Sequence, residues 1–169
     1  MTPFIARTPT HYDAGGRVVR EYLRWARDDL GVDLSRERRL ADEAWRTATV
    51  YGPPHGALVL AFAGFRPAGA AGLVRVAPSL VELRRMYVRP ALRRRGIGTA
   101  LLAFAVEEAE RSGFALLHLD TAPDAMPAAH RLYARAGFRE TAPRSLRHPG
   151  SIGMRLWLGG VHGPTTAPA

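Results

Sequence analysis

Six consecutive residues, Arg93-Arg94-Arg95-Gly96-Ile97-Gly98, put three cations and two close glycines between a strand-like run and a helical one. The first N–H groups of a helix have no partner within it, and its dipole places partial positive charge there. Glycine lets an anion approach that bare backbone, and the arginines add full charges. Such a turn suits a ligand with several phosphates. Other residues able to do chemistry flank it: Glu82 and Met86 on the strand before it, His118 and Asp120 two apart, and Tyr133 further on.

The elements that must hold these groups can be read from periodicity. Phe4–Arg7 reads as a short strand and Asp13 as the N-cap of a first helix. Val18, Tyr22 and Trp25, widened by Val19, Leu23, Ala26 and Leu30, form its apolar stripe. A second helix is expected after Ser35, with Ala41, Ala44, Trp45 and Ala48 inward, followed by a Tyr51–Gly56 loop. Ala57–Ala63 and Ala70–Ala77 read as a hairpin around Gly64–Gly69. In the strand Leu80–Val88, alternation puts Glu82, Arg84, Met86 and Val88 on one face and Val81, Leu83, Arg85 and Tyr87 on the other. A helix from about Arg95–Gly96 carries Ile97, Leu101, Phe104 and Ala105 inward and stops at Ser112–Gly113. Phe114–Thr121 is a strand, and Asp124–Ala136 a helix with Ala129, Leu132, Tyr133 and Ala136 inward. Strands near Phe138–Thr141 and Ile152–Leu158 complete an α/β domain, a mixed sheet with helices on both faces.

Composition narrows the chemistry. The chain has 169 residues, 47% hydrophobic and 23% charged, which suits one globular domain over 1–158 and a flexible tail over 159–169. There is no Cys, so disulfides, thiolate metal sites and a cysteine nucleophile are excluded. No apolar run approaches membrane-spanning length and no secretory signal is visible, so the expected compartment is the cytoplasm. The net charge of +9 is carried by arginine alone, because Lys is absent. Those arginines are scattered apart from the glycine turn, which fits one polyphosphate ligand better than a duplex. Leu101 stands where a dinucleotide fingerprint needs its third glycine, and without Lys a Walker-type loop is impossible. No metal-binding spacing occurs either, so no metal is expected.

Three segments in order then resemble one family. Arg93–Gly98 resembles the (Q/R)xxGx(G/A) signature of the GNAT superfamily of N-acetyltransferases. Leu132-Tyr133-Ala134-Arg135-Ala136-Gly137-Phe138, after Leu119-Asp120-Thr121, resembles its LYxxxGF region. Glu82–Val88 resembles the strand before the pyrophosphate loop, and Arg20–Leu30 the acceptor-side helix of small bacterial members. The similarity spans about Leu58–Leu158. It implies a mixed, mainly antiparallel central sheet, acetyl-CoA as co-substrate, and transfer to an unidentified primary amine of a small molecule or peptide.

The resemblance also implies roles. Backbone groups of Met86, Tyr87 and Val88 would meet the pantetheine arm and acetyl carbonyl. Backbone N–H groups from Arg93, Arg94, Arg95, Gly96, Ile97, Gly98 and Thr99 would hold the pyrophosphate, with the three arginine side chains within reach of it. Ala129 and Met126 would line the ligand; Met126 stands where many members carry an Asn, a bond that Met cannot make. Tyr133 would protonate the departing thiolate, and Glu82 would take the amine proton, directly or through water. A core tyrosine and a Glu82–Arg84 ion pair are the competing structural explanations. With Cys absent, direct attack in a ternary complex is the expected course.

The acceptor region would lie over Glu21, Tyr22, Trp25 and the Tyr51–His55 loop, although Tyr22 and Trp25 equally suit a buried stripe. Glu21, Asp28, Asp29 and Asp42 could draw in a cationic amine or form a solvated face. His118–Asp120 reads chiefly as a polar strand end and His130 as surface. The partners expected are acetyl-CoA and an amine, with no nucleic acid and no membrane, in a monomer or homodimer. A silent acyl-CoA-binding regulator and a basic nucleic-acid module are the alternatives.

Overall fold

The computed structural model describes residues 2–31, 45–145 and 149–159. Within them, strands β1 (Phe4–Ile5), β2 (Gly56–Ala63), β3 (Arg66–Ala77), β4 (Leu80–Val88), β5 (Leu116–Thr121), β6 (Arg139–Thr141) and β7 (Ile152–Trp157) build one sheet. Its order is β1-β2-β3-β4-β5-β7-β6. Only β4 and β5 run parallel, so the sheet is mixed and mainly antiparallel, as expected. The helices are α1 (Pro9–Leu30), α2 (Thr47–Tyr51), α3 (Ile97–Arg111) and α4 (Pro127–Arg135). Most of the second helix expected after Ser35 lies outside the described residues.

Several boundaries differ from the periodicity reading, each for a local reason. Helix α1 starts at Pro9, capped by the Thr8 hydroxyl, which accepts from the His11 N–H at 3.2 Å. Proline at the first helical position needs no donor, so Asp13 lies inside the helix and is not its cap. For the same reason α4 begins at Pro127 and not at Asp124, and Ala136, past its end, is exposed. The hairpin turn is shorter than expected, because β3 already starts at Arg66.

The sheet separates two apolar layers. On one face Leu58, Leu60, Ala70 and Tyr87 pack with Val18 and Tyr51; on the other Val59, Leu73, Val81 and Leu83 pack with Leu101, Leu102 and Ala105. Strand β3 is covered from both sides, and its Ala68-Gly69-Ala70-Ala71-Gly72 run keeps it thin. A Cβ at Gly72 would lie 2.2 Å from the Tyr51 ring. That glycine is a socket for Tyr51, which is fully buried. Tyr51 therefore belongs to the core and not to a Tyr51–His55 acceptor loop.

Strand β4 breaks its own alternation. Its pairing with β3 shifts between Gly72↔Arg84 and Ala70↔Tyr87, leaving one extra residue in β4, and Arg85 takes φ +52°. After this bulge the faces exchange: Met86 and Val88 join the layer of Val81 and Leu83, while Tyr87 turns towards α1. Glu82 and Met86 are thus on opposite faces, contrary to simple alternation.

Candidate active site

Where β4 meets β5, pairing runs only from Leu80↔Leu116 to Glu82↔His118. Beyond that point β5 stays with β7 through Thr121. The two parallel strands part, and two cavities meet in the opening. One includes Tyr22, Glu82, Arg85, Asp120 and Ser145 in its walls; the other includes Trp25, Tyr87, Val88, Arg93, Ile97 and Gly98. Met86, Met126, Ala129 and Tyr133 line both.

The second cavity ends at the start of α3. Gly96 holds φ +77°, a left-handed conformation that a side chain would strain, and no side chain caps the helix. The Ala100 N–H bonds the Gly96 carbonyl, so the uncapped turn is the one before it. At Gly98 an added Cβ would meet Leu132 at 3.6 Å, ordinary contact, so the protein itself does not require glycine there. The openness serves whatever approaches the turn. Arg94 lines this cavity, whereas Arg95 and Thr99 are exposed and line neither of the two.

Arg93 departs from the expectation of a phosphate-reaching side chain. Its Nε donates to the Val88 carbonyl at 3.0 Å, and its guanidinium lies 5.3 Å from the Trp25 ring and 5.5 Å from Tyr87. It braces the turn against α1. Tyr22, Trp25 and Tyr87 complete the brace, with ring centroids 5.8 to 6.0 Å apart. Tyr22 faces the first cavity, but Trp25 faces the second.

Tyr133 is 7% exposed and its ring lies 5.8 Å from Phe138. Burial drives its phenol well above the ordinary tyrosine range, and the nearby Tyr22 pushes the same way. It keeps its proton until something strongly basic arrives beside it. Glu82 is 8% exposed, and both its oxygens accept from Arg84, at 2.9 and 3.0 Å. Arg144 stands 3.8 Å from one of them. The ion pair with Arg84 is therefore present.

The acidic residues of α1 do not reach either cavity. Glu21 is bonded by Arg89 at 2.5 and 2.8 Å, Asp28 pairs with Arg27 at the surface, and Asp29 is exposed. Asp42 lies outside the described residues. His130 pairs with Glu140 at the surface, and among the described residues no group of acidic and histidine side chains could hold a metal.

Asp120 is more than a polar strand end. It accepts from His118 Nε2 at 2.8 Å, from the Arg144 and Ser145 N–H groups at 3.0 and 2.8 Å, and from the Ser145 hydroxyl at 3.1 Å. Burial works to raise its pKa, but these donors outweigh burial and lower it. Because the folded value lies below the unfolded one, the stabilisation is full above the unfolded pKa and is lost as pH falls through the folded value. Asp120→Asn should cost about 1–3 kcal/mol at neutral pH in urea unfolding, the range for bonds to a charged group. The gap between variant and parent should shrink once pH drops below about 4. A gap independent of pH would remove the charge from the explanation.

Periodicity did not single out Arg85 or Ser145 as cavity walls. Arg85 follows Arg84 in an otherwise largely apolar strand, a visible oddity, whereas Ser145 enters only through its tertiary bond to Asp120.

A parted pair of parallel strands, closed by a glycine turn and an uncapped helix, defines an α/β fold with its ligand site at the opening in the sheet. The model of the acetyltransferase (GNAT) family matches residues 19–138. The chain belongs to that family. An uncharacterized N-acetyltransferase of Schizosaccharomyces pombe is 33% identical over 141 residues, covering 81% of this chain and 82% of its own. A GNAT-family acetyltransferase from Staphylococcus aureus superposes with a TM-score of 0.74 at 20% identity, over 94% of this chain and 100% of that one. The protein yncA from Salmonella typhimurium, solved with its cofactor acetyl-CoA, gives a TM-score of 0.69 at 21% identity and 99% coverage of both chains.

Proposed function

We propose that this protein transfers an acetyl group from acetyl-CoA to a primary amine of a small molecule or peptide, by direct attack in a ternary complex. The observation carrying this reading is Tyr133, whose side chain lines both cavities at the parting of β4 and β5. The glycine turn and the uncapped start of α3 fit a pyrophosphate, and the apolar wall of Met86, Val88, Met126, Ala129 and Leu132 fits a pantetheine arm. Bound there, acetyl-CoA supplies a thioester carbonyl, whose C–S bond breaks as the C–N bond forms.

The chain's own groups then have separate tasks. Backbone N–H groups near Met86 and Val88, on the edge that β5 leaves, can stabilise negative charge on the carbonyl oxygen. Tyr133 gives its proton to the departing sulfur. Glu82 takes the proton lost by the amine while Arg84 fixes its orientation; a carboxylate offers about four lone-pair positions, so two bonds from Arg84 do not fill it.

The same ion pair is the observation that favours a second reading, an acyl-CoA-binding regulator without turnover. Thiol release from acetyl-CoA across an amine panel separates the two. Amine-dependent release is expected; CoA-induced thermal stabilisation with no release from any amine would favour the regulator.

A further inference from the structure

We infer that the Thr121 hydroxyl holds the accepted amine by one N–H while Glu82 takes the other proton, and so selects primary amines; this rests on the acetyl-transfer reading above. Thr121 ends β5 and lines the first cavity but not the second. It is 3% exposed, and its hydroxyl has no hydrogen-bond partner among the described residues. A buried hydroxyl without a partner is costly, and proteins seldom keep one. Valine, of nearly the same shape, would fill this wall without that cost. The oxygen therefore answers to something that enters the cavity.

Its direction follows from the register. Pairing of β5 with β7 is regular from Leu116↔Trp157 to Thr121↔Ile152, so side chains alternate along the whole strand. Leu117 and Leu119 pack with Leu101, Tyr133 and Met154, and Thr121 follows them onto that face. Glu82 lies on the opposite face, because its neighbours Val81 and Leu83 belong to the layer of Leu101 and Tyr133. Thr121 and Glu82 thus flank the opening between β4 and β5 from its two sides, and both line the first cavity.

The charges around this cavity are already matched. Glu82 is bound by Arg84, and Asp120 by His118 and the Arg144–Ser145 segment. The uncharged Thr121 oxygen suits the uncharged amine, the form that carries the lone pair. A neutral primary amine has two hydrogens on nitrogen. As the C–N bond forms and the C–S bond breaks, one of them leaves as a proton to Glu82, and the sulfur takes the proton of Tyr133. The other stays on the nitrogen of the amide, and Thr121 Oγ1 accepts it throughout. A secondary amine has no second hydrogen to offer.

The test measures kcat/KM for benzylamine, tyramine and dialanine, each beside its N-methyl derivative, in the parent, T121V and T121S. T121V should lower the values for primary amines by about three- to tenfold, the scale of one neutral hydrogen bond. The N-methyl derivatives should lose little, so the preference for primary amines narrows by the same factor. T121S keeps the oxygen and should keep most of the preference. The KM for acetyl-CoA should not move, and T121V without ligand should be no less stable to heat, since it gives up no bond within the protein. No loss in T121V, or equal loss for primary and N-methyl amines, would overturn the inference and leave acetyl transfer standing. A T121V protein of lower thermal stability would place the partner of the hydroxyl inside the protein and overturn it likewise. No turnover of any amine while CoA still binds would overturn both.

Discussion

Tyr133→Phe should lower kcat by about a hundredfold or more, with little change in the KM for acetyl-CoA or in thermal stability. General acid–base groups contribute about 10²–10⁴ in rate, which sets the scale. The variant removes one oxygen and keeps the ring that packs near Phe138 and lines both cavities. A tyrosine serving only as core would show little loss of turnover. Burial keeps the phenol protonated, so the donor is in its acid form when the C–S bond opens, while the same burial makes it a weaker acid than an exposed tyrosine. Turnover of Tyr133→Phe close to that of the parent would take Tyr133 out of the chemistry.

The second large effect concerns stability. Tyr51→Ala should cost about 3–5 kcal/mol, the range for emptying a buried aromatic site. The Tyr51 ring fills the space that Gly72 leaves and is fully buried among Val18, Leu58, Leu60, Ala70 and Tyr87. Denaturant unfolding should show the loss, while protein that remains folded should keep its KM for the amine. A raised acceptor KM with unchanged stability would return Tyr51 to the acceptor site.

These two tyrosines also mark what could be read from residues alone. Tyr133 was legible because a helical stripe and the LYxxxGF pattern pointed to the same position. Tyr51 was misread because Pro53, Pro54 and Gly56 made its surroundings look like a loop, while its socket is a glycine on a strand distant in sequence. The glycine turn was legible because Gly96 needs its left-handed conformation whatever the ligand. Arg93 was not, since its partners Trp25 and Val88 are set by the approach of α1 to the end of β4. The β4 bulge is the deepest case. Period-two alternation has no term for an extra residue, so Met86 and Arg85 each fell on the wrong face.

The acidic residues teach the same lesson about distance. Glu21 looked like bait for a cation until its distant partner Arg89 was in view, whereas Asp28 is tied to its sequence neighbour Arg27. Asp120 looked like a strand end because the Arg144–Ser145 segment it anchors returns to it from more than twenty residues away.

Acetyl transfer itself is tested most directly with isotope-labelled acetyl-CoA and an added amine, followed by mass spectrometry of both the small molecule and the protein. The expected result is label on the amine, one thiol released for each amide formed, and an unlabelled protein, since direct attack leaves no acetyl group on the chain. Label that stays on the thioester with every amine, or that collects on a protein hydroxyl, would contradict direct transfer between the parted strands.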